Sequence, residues 1–456
     1  MSPCLRAALV GTLLCLGPSA AGLAAQQEPL DALVAEGLAR NPDLRRAEHQ
    51  LDQADAAVRE ATGRWLPALT LTARYSERSG NILDIGEMVN PAFRALNQLL
   101  GQDAFPTDVS LKQPFKQETG LRLTQPLFQP AVAAGVGVAR EGRAAEAAGL
   151  VGERRALAAR IRLAYLDYAR AVRVEELFTA TLGLLTENLR VHTALLAQGV
   201  ITPDALLRAR ADHSEGLQRQ ADAANLRTSA REAFNLLLDR PAAAPLELLP
   251  DSLLGITAGM GQDSAVAAAL RGRTELRQLD HGIAAAAGAE RYASAAFLPS
   301  LVAAVDWGIQ GDRYRFRGSQ DFLVASLVLQ WNLFNGGQDQ ARRQQARARR
   351  DALVEARRWA AGQVALETRA AWRAAEVARL NESTAADRLA SAARSYELVE
   401  RKFREGAAAQ VELIDARTAS TAAALNQILT HYDHLARRVE LERAAGLYPH
   451  DGGQDR

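Results

Sequence analysis

The chain has 456 residues, 54 basic and 53 acidic side chains, and an aromatic content of only 5%. The balanced charge gives no basic surface for nucleic acid, and the sequence holds no phosphate-binding glycine loop, nucleophile elbow or zinc motif. We therefore expect no nucleic acid partner, no cofactor or metal, and no enzyme. The abundance of alanine, leucine, arginine and glutamate favours long helices.

The first 25 residues have the pattern of a secretory signal peptide. Arg6 precedes an apolar run from Ala7 to Leu16, and a small-x-small cleavage site follows at Gly22-Leu23-Ala24 or in a neighbouring frame. The alternative is a short membrane anchor, but the run is too short to span a bilayer as a helix. Both cysteines, Cys4 and Cys15, lie in this segment, so the mature chain is predicted to contain no thiol. A bulky leucine before Cys15 disfavours lipidation there.

The mature chain begins with a helical pattern from Pro29 to Arg64. Its apolar residues recur every three or four positions. A kink or a restart of the helix is predicted at Asn41-Pro42, because a residue that precedes a proline avoids the helical region. The dipeptide Leu66-Pro67 ends the pattern.

A first strand is predicted near residues 66–77, where apolar and polar side chains alternate. This alternation places Arg74 on a polar face and Tyr75 at the end of an apolar face. A long loop rich in glycine, asparagine, proline and aspartate follows at 78–118, with a short helix expected at Pro91–Leu100.

The remaining strands are predicted near residues 119–127, 298–310 and 321–333. Arg122 and Asp306 fall on their polar faces and Trp307 on an apolar face, whereas the last strand alternates poorly. Two interpretations stay open: a sheet packed on helices, or a membrane β-barrel in contact with outer-membrane lipid. Four strands cannot close a barrel, so the second interpretation requires a trimer with twelve strands.

Two proline-free segments, 131–197 and 338–404, predict very long helices. At 1.5 Å per residue each would extend roughly 100 Å, and the spacing of their apolar residues is typical of coiled coils. Gly199 and Gly406 follow these helices, and a return helix comes after each glycine.

The chain is internally duplicated. Leu44 corresponds to Leu276 at an offset of 232, and Gly199 corresponds to Gly406 at an offset of 207. The difference between the two offsets falls in the long loop of the first copy. The predicted units are a signal peptide at 1–25, a first repeat at 26–245, a linker at 246–262, a second repeat at 263–448 and a disordered tail at 449–456.

This organisation resembles the TolC family of outer-membrane efflux and type I secretion channels. The resemblance rests on the duplicated order of elements and on the motifs Leu66-Pro67, Leu298-Pro299, Leu333–Gly337 and Gly406–Ala416. It implies an α+β membrane protein: a homotrimer with a 12-stranded β-barrel in the outer membrane of a Gram-negative bacterium, continued by a periplasmic α-helical coiled-coil barrel. It also implies a passive exit duct, gated at its periplasmic tip, that docks to a periplasmic membrane-fusion adaptor and an inner-membrane pump of RND or ABC type.

The resemblance also implies roles for individual residues. Glu412 and Asp415 match the acidic pair that forms a cation-binding ring at the periplasmic gate; otherwise they are solvated acids near a helix start. Phe403 matches a gate-packing aromatic, but Ala408 stands where some members carry a basic residue of the gate lock. The adaptor-contact tips would contain Gly199, Thr202, Asp204 and Gly406; the barrel lumen would contain Arg74, Arg122 and Asp306; and the membrane-interface aromatics would be Tyr75 and Trp307.

The competing hypothesis is a periplasmic coiled-coil scaffold or adaptor protein without a pore. It accounts for the helices but not for strands with charged faces and aromatic ends. His431 and His434 lie three residues apart on a predicted helix, and with no third ligand evident they are interpreted as surface histidines rather than a metal site. The exported substrate is not predicted.

Overall fold

A computed structural model describes residues 29–77, 79, 83–110, 112, 115–250, 260–311 and 321–447. The predicted signal peptide, most of the link between the last two strands, and the predicted tail lie outside these ranges. No helix in the described ranges is long and apolar enough to cross a membrane.

The elements occur in the predicted order of helix, two strands and long helices, twice along the chain. The helices are α1 (Pro29–Arg40), α2 (Pro42–Gly63), α3 (Ile85–Leu100), α4 (Pro130–Ala197), α5 (Pro203–Leu237), α6 (Gln262–Gly272), α7 (Thr274–Ser294), α8 (Gln338–Arg404) and α9 (Gln410–Ala444). The strands are β1 (Ala68–Tyr75), β2 (Gln117–Phe128), β3 (Ser300–Gly311) and β4 (Asp321–Gln330).

Of the two alternatives predicted at Asn41-Pro42, the structure shows a restart, with Asn41 between α1 and α2. The side-chain oxygen of Asn41 accepts hydrogen bonds from the backbone N–H groups of Asp43 and Leu44, and so caps α2. Its amide group donates to the carbonyl of Leu237, at 2.9 Å. The cap therefore also fixes the start of α2 against the end of α5.

The four strands form one antiparallel sheet in the order β1-β2-β3-β4. The register places Leu71 opposite Leu121, and Leu121 opposite Trp307, on one face of the sheet. A bulge in β2 lies between Pro126 and Phe128. Because β1 and β4 pair on one side only, the sheet has two open edges in the part of the chain that the structure describes.

Each of the two longest helices runs antiparallel to a return helix. Helices α4 and α8 contain 68 and 67 residues, or roughly 100 Å each, and they pack against α5 and α9 respectively. Gly199 and Gly406 have φ angles of 67° and 72°. Only glycine adopts this left-handed conformation without steric cost, which explains why the turns occur at these residues.

The largest apolar core lies where α1, the end of α5 and α9 pack against the middle of α4. Tyr165 and Phe234 are fully buried there, with their rings edge to face at 5.9 Å. The Tyr165 hydroxyl accepts a hydrogen bond from the backbone of Leu249, and the Tyr168 hydroxyl donates one to the carbonyl of Leu246. The start of the linker between the repeats is therefore held against the first long helix.

A buried ion pair joins the two repeats in this core. Arg162 on α4 donates to Glu442 on α9 at 2.6 Å, and their side chains are only 5% and 10% exposed. Such a pair is costly to break, because loss of one partner removes a charged contact from a site where water cannot replace it.

Helix α3, in the long loop, begins at Ile85, six residues before the predicted start at Pro91. The side chain of Asp84 caps it by accepting a hydrogen bond from the backbone two residues further on. Asn90 and Asn97 each exchange two hydrogen bonds with the backbone of the segment that returns towards β2. These side-chain clamps keep the helix in place, and the sequence pattern did not reveal them.

Candidate functional site

One face of the sheet carries charged side chains that pair across the strands. Arg74 donates to Glu118 at 2.5 Å, and Arg122 donates to Asp306 at 2.6 Å. The three residues predicted to line a lumen thus lie on one face, and the acidic Glu118, which was not predicted, lies with them. Exposed pairs of this kind add little to stability, so their main effect is to set the charge of the surface.

The opposite face of the sheet is apolar and exposed. Its exposed large side chains include Leu69, Leu71, Tyr75, Leu123, Trp307, Leu323, Leu327 and Leu329. A contiguous surface of this kind is unusual on a soluble monomer and marks contact with a membrane or another protein.

The aromatic residues of this apolar face lie at different levels. Tyr75 is at the outer end of β1, next to Gln117, whereas Trp307 is level with Leu71, four residues further in. At the opposite end of the sheet the exposed Trp331 donates its indole N–H to the carbonyl of Phe297. The two predicted interface aromatics are therefore not neighbours, and Trp331 extends the aromatic set towards the helices.

The two helical turns meet at the far end of the long helices. His192 near the end of α4 donates from Nδ1 to the carbonyl of Asn188, and its Nε2 accepts from the side-chain amide of Gln410 at 2.7 Å. At the first turn, a hydrogen bond from the Thr202 hydroxyl lowers the pKa of the exposed Asp204 carboxyl. The tips of both repeats thus lie side by side.

The predicted acidic pair lies at the start of α9. Glu412 is in the first helical turn and Asp415 one turn later, and both are exposed. Neither carboxylate forms an ion pair within the described ranges of the chain. Phe403, near the end of α8, is 37% exposed, and Ala408 lies in the turn between α8 and α9. No hydrogen bond or ion pair between described residues joins Phe403 to the acidic pair.

A second ion pair connects the return helices of the two repeats. Arg417 on α9 donates to Asp212 on α5 at 2.9 Å, with side chains 15% and 28% exposed. Both residues line a cavity of about 650 Å³ between α4, α5 and α9, whose apolar wall includes Phe178 and Leu185. The pair is not evident from the sequence, because the two residues are 205 positions apart.

His431 and His434 converge on one carboxylate of the neighbouring helix. The Nδ1 atoms of both rings contact Glu382 on α8, that of His431 at 2.6 Å. Burial raises the pKa of Glu382, but the hydrogen bonds from both histidines outweigh this effect and lower it below its usual value. The described residues contain no group of three or more candidate ligands with metal-binding geometry. The sequence suggested that these histidines lie on the surface. In the structure they instead join α9 to α8 through Glu382.

One family profile and several solved structures match the chain. A sequence profile of the outer membrane efflux protein family matches residues 33–239 and 265–447. The search of curated proteins gave no match. Among solved structures, the chain resembles CusC (19% identity, TM-score 0.76, 92% of both chains covered). It also resembles VceC of Vibrio cholerae (18%, 0.70, 91% of this chain and 96% of that one) and the MtrE channel of Neisseria gonorrhoeae (19%, 0.71, 92% and 89%).

The duplicated helical module and its two-faced sheet define an outer-membrane channel protein. The chain belongs to the outer membrane efflux protein family, whose profile covers most of its length. The predicted fold class, the outer-membrane location and the role of exit duct are thereby confirmed. Family membership also decides against the scaffold hypothesis. The solved structures, at below 25% identity, support the fold alone.

Proposed function

We propose that three copies of the chain form one continuous exit duct. The open sheet carries this proposal, since β1 and β4 are unpaired edges and one face is apolar while the other bears ion pairs. Three four-stranded sheets joined edge to edge supply twelve strands, an even number within the range of outer-membrane barrels. The apolar face then contacts lipid, with Tyr75 and Trp307 at different depths, and Arg74, Arg122 and Asp306 line the lumen.

The periplasmic end of the duct is proposed to be a gate with an acidic ring. Glu412 and Asp415 of three copies would place six carboxylates around the axis, and each lacks a cationic partner in the described part of its own chain. Such a ring attracts cations and repels anions, and mutual repulsion opposes its closure. Phe403 supplies apolar packing beside this ring.

The closed gate needs attractive contacts to offset this repulsion. Some members of the family hold the closed gate with a basic residue, and Ala408 occupies that position here. The contacts that lock the gate therefore differ in this chain. The contacts between Arg417 and Asp212 and between Gln410 and His192 both join α9 to the first repeat. We assign the lock to these two contacts, because opening by a shift of α9 would break both.

The duct has no energy source of its own and acts as a passive conduit. A pump in the inner membrane, of RND or ABC type, would supply the work, and a periplasmic membrane-fusion adaptor would connect the two. The adaptor would contact the paired tips, which include Gly199, Thr202, Asp204 and Gly406. Support for this contact comes from the position of both tips at the end of the helices farthest from the sheet.

Conductance in planar bilayers tests the proposed gate. Replacing Glu412 with Gln and Asp415 with Asn is expected to lower the preference for cations and to change the single-channel conductance. Glu232→Gln is the matched control, since Glu232 is exposed on α5 near the opposite end of that helix from the tip. Channels of unchanged selectivity in the double variant would remove the acidic pair from the gate, while the absence of any channel in the wild type would refute the duct itself.

A further inference from the structure

An apolar cleft of about 590 Å³ opens where the strands join the long helices. Its walls come from the ends of α2 and β2, the first turn of α4 and the end of α7. The lining residues that matter here are Trp65, Phe128, Ala133, Ala134, Arg291 and Leu298. Only one of these six side chains carries a charge.

The strand register shows which side of the sheet the cleft lies on. Phe128 pairs with Leu301, which shares a face with Val305 and Trp307. That is the apolar face of the sheet, the one that contacts lipid in the proposed duct. A separate cavity lined by Ala68, Thr124 and Pro126 lies on the other face. The cleft is therefore continuous with the lipid-contacting surface and is separated from the lumen by the sheet.

A second copy of the chain is a poor candidate to fill the cleft. Neighbouring copies would add at the open edges, β1 and β4. The two central strands of the sheet are β2 and β3. The cleft lies between the end of β2 and the residues that precede β3. Its position in the middle of the protomer leaves it facing the membrane.

The single charge of the cleft favours an anionic headgroup. Arg291 forms no ion pair or side-chain hydrogen bond with any other described residue. The first turn of α4 also lines the cleft, and that helix starts without a side-chain cap, so its positive dipole end adds to the field of Arg291. An apolar slot with a cation at its edge matches an acyl chain joined to a phosphate.

We infer that this cleft binds an anionic glycerophospholipid of the periplasmic leaflet, with an acyl chain against Trp65 and Phe128 and the phosphate at Arg291. The leaflet follows from the position of the cleft at the helix end of the sheet, opposite the long loop. The inference rests on the proposed lipid-facing orientation of the sheet. The bound lipid would fix the angle between the membrane domain and the start of the helical barrel.

Native mass spectrometry of the detergent-purified protein with added palmitoyl-oleoyl phosphatidylglycerol tests this site. We expect saturable binding of one lipid per protomer. Ala134→Trp fills the slot and should weaken binding at least about tenfold, since displacing two methylene groups has that effect. Arg291→Gln should weaken it about fivefold and should reduce the preference over phosphatidylethanolamine.

Arg64→Gln is the matched control. Arg64 lines the cavity on the other face of the sheet and pairs with Glu60 at 2.9 Å, so its loss should leave lipid binding unchanged. Non-saturable binding, or equal binding by all variants, would overturn the inference. So would an Ala134→Trp protein that binds the lipid normally but fails to assemble, because the cleft would then be a contact between copies.

Two further measurements separate the possible failures. If Ala134→Trp does not fold, quenching of Trp65 by phosphatidylglycerol with brominated acyl chains replaces it. Trp65→Phe should then remove the quenching component that saturates at one lipid per protomer, and an unchanged component would count against the site. Single-channel conductance of the same preparation reports on the duct separately, so normal channels without saturable lipid binding would refute this inference alone.

Discussion

Breaking the buried pair Arg162–Glu442 should destabilise the protein more than any exposed ion-pair variant. Glu442→Gln removes the carboxylate that accepts from the Arg162 guanidinium at 2.6 Å, where the Arg162 side chain is only 5% exposed. Loss of one partner of a buried pair costs about 3–5 kcal/mol. The entropy of unfolding is about 2.1 cal/mol/K per residue, which over 456 residues is roughly 1 kcal/mol/K. The expected fall in Tm is therefore about 3–5 °C.

Thermal unfolding of the detergent-purified protein measures this shift, at one protein concentration because assembly affects the apparent Tm. The exposed pair Arg394–Glu397 provides the control, and Glu397→Gln should lower Tm by less than about 1 °C. The double variant Arg162→Met with Glu442→Leu should recover most of the loss, since it replaces both charges of the pair with apolar side chains. A Glu442→Gln protein within 1 °C of the wild type, or a double variant no better than the single one, would refute this reasoning.

Three further predictions concern the loop, the histidine cluster and the lock. Asn97→Ala removes two hydrogen bonds to the returning segment, so limited proteolysis should cut the long loop faster while the helices stay intact; equal rates would contradict the clamp. The folded-state pKa of Glu382 is lowered, so its stabilising effect is present above its usual value of 4.5 and is lost as the pH falls through the folded value. Glu382→Gln should therefore show a smaller loss of Tm between pH 5 and pH 3, and an identical pH profile would count against this effect. Arg417→Met should raise the open probability in planar bilayers, and Asp212→Asn added to it should cause little further change; additive effects would show that the two residues act separately.

The sequence revealed those features that repeat along the chain. The period-two pattern marked β1 because apolar and polar side chains alternate on its two faces, and the absence of proline marked α4 and α8. The facing of strand β4 was harder to predict, since Val324 and Val328 make its second face apolar as well. Its hydrogen-bonded register with β3, which no local pattern encodes, is what fixes its facing.

The contacts that join distant parts of the chain were not predictable from the sequence. Charged residues make up 23% of the chain, so nothing in the pattern singles out Asp212 as the partner of Arg417. Similarly, His431 and His434 looked like surface residues, because the acid that joins them is on another helix, 49 positions from His431. Such partners become identifiable only when packing brings the helices together.

The central claim is that the open sheets of three copies close into one barrel. Cysteine cross-linking tests it without background, because both native cysteines lie in the predicted signal peptide. Thr70→Cys in β1 would be combined in turn with Phe322→Cys, Val324→Cys, Ser326→Cys and Val328→Cys in β4. All five positions are on the charged face of the sheet, and the scan covers the possible registers between copies.

We predict that oxidation of outer-membrane fractions gives, for at least one pair, reducible species of two and three chains and none larger. Thr70→Cys alone should give no such ladder. Failure to cross-link at every register, or a ladder that extends beyond three chains, would contradict the account.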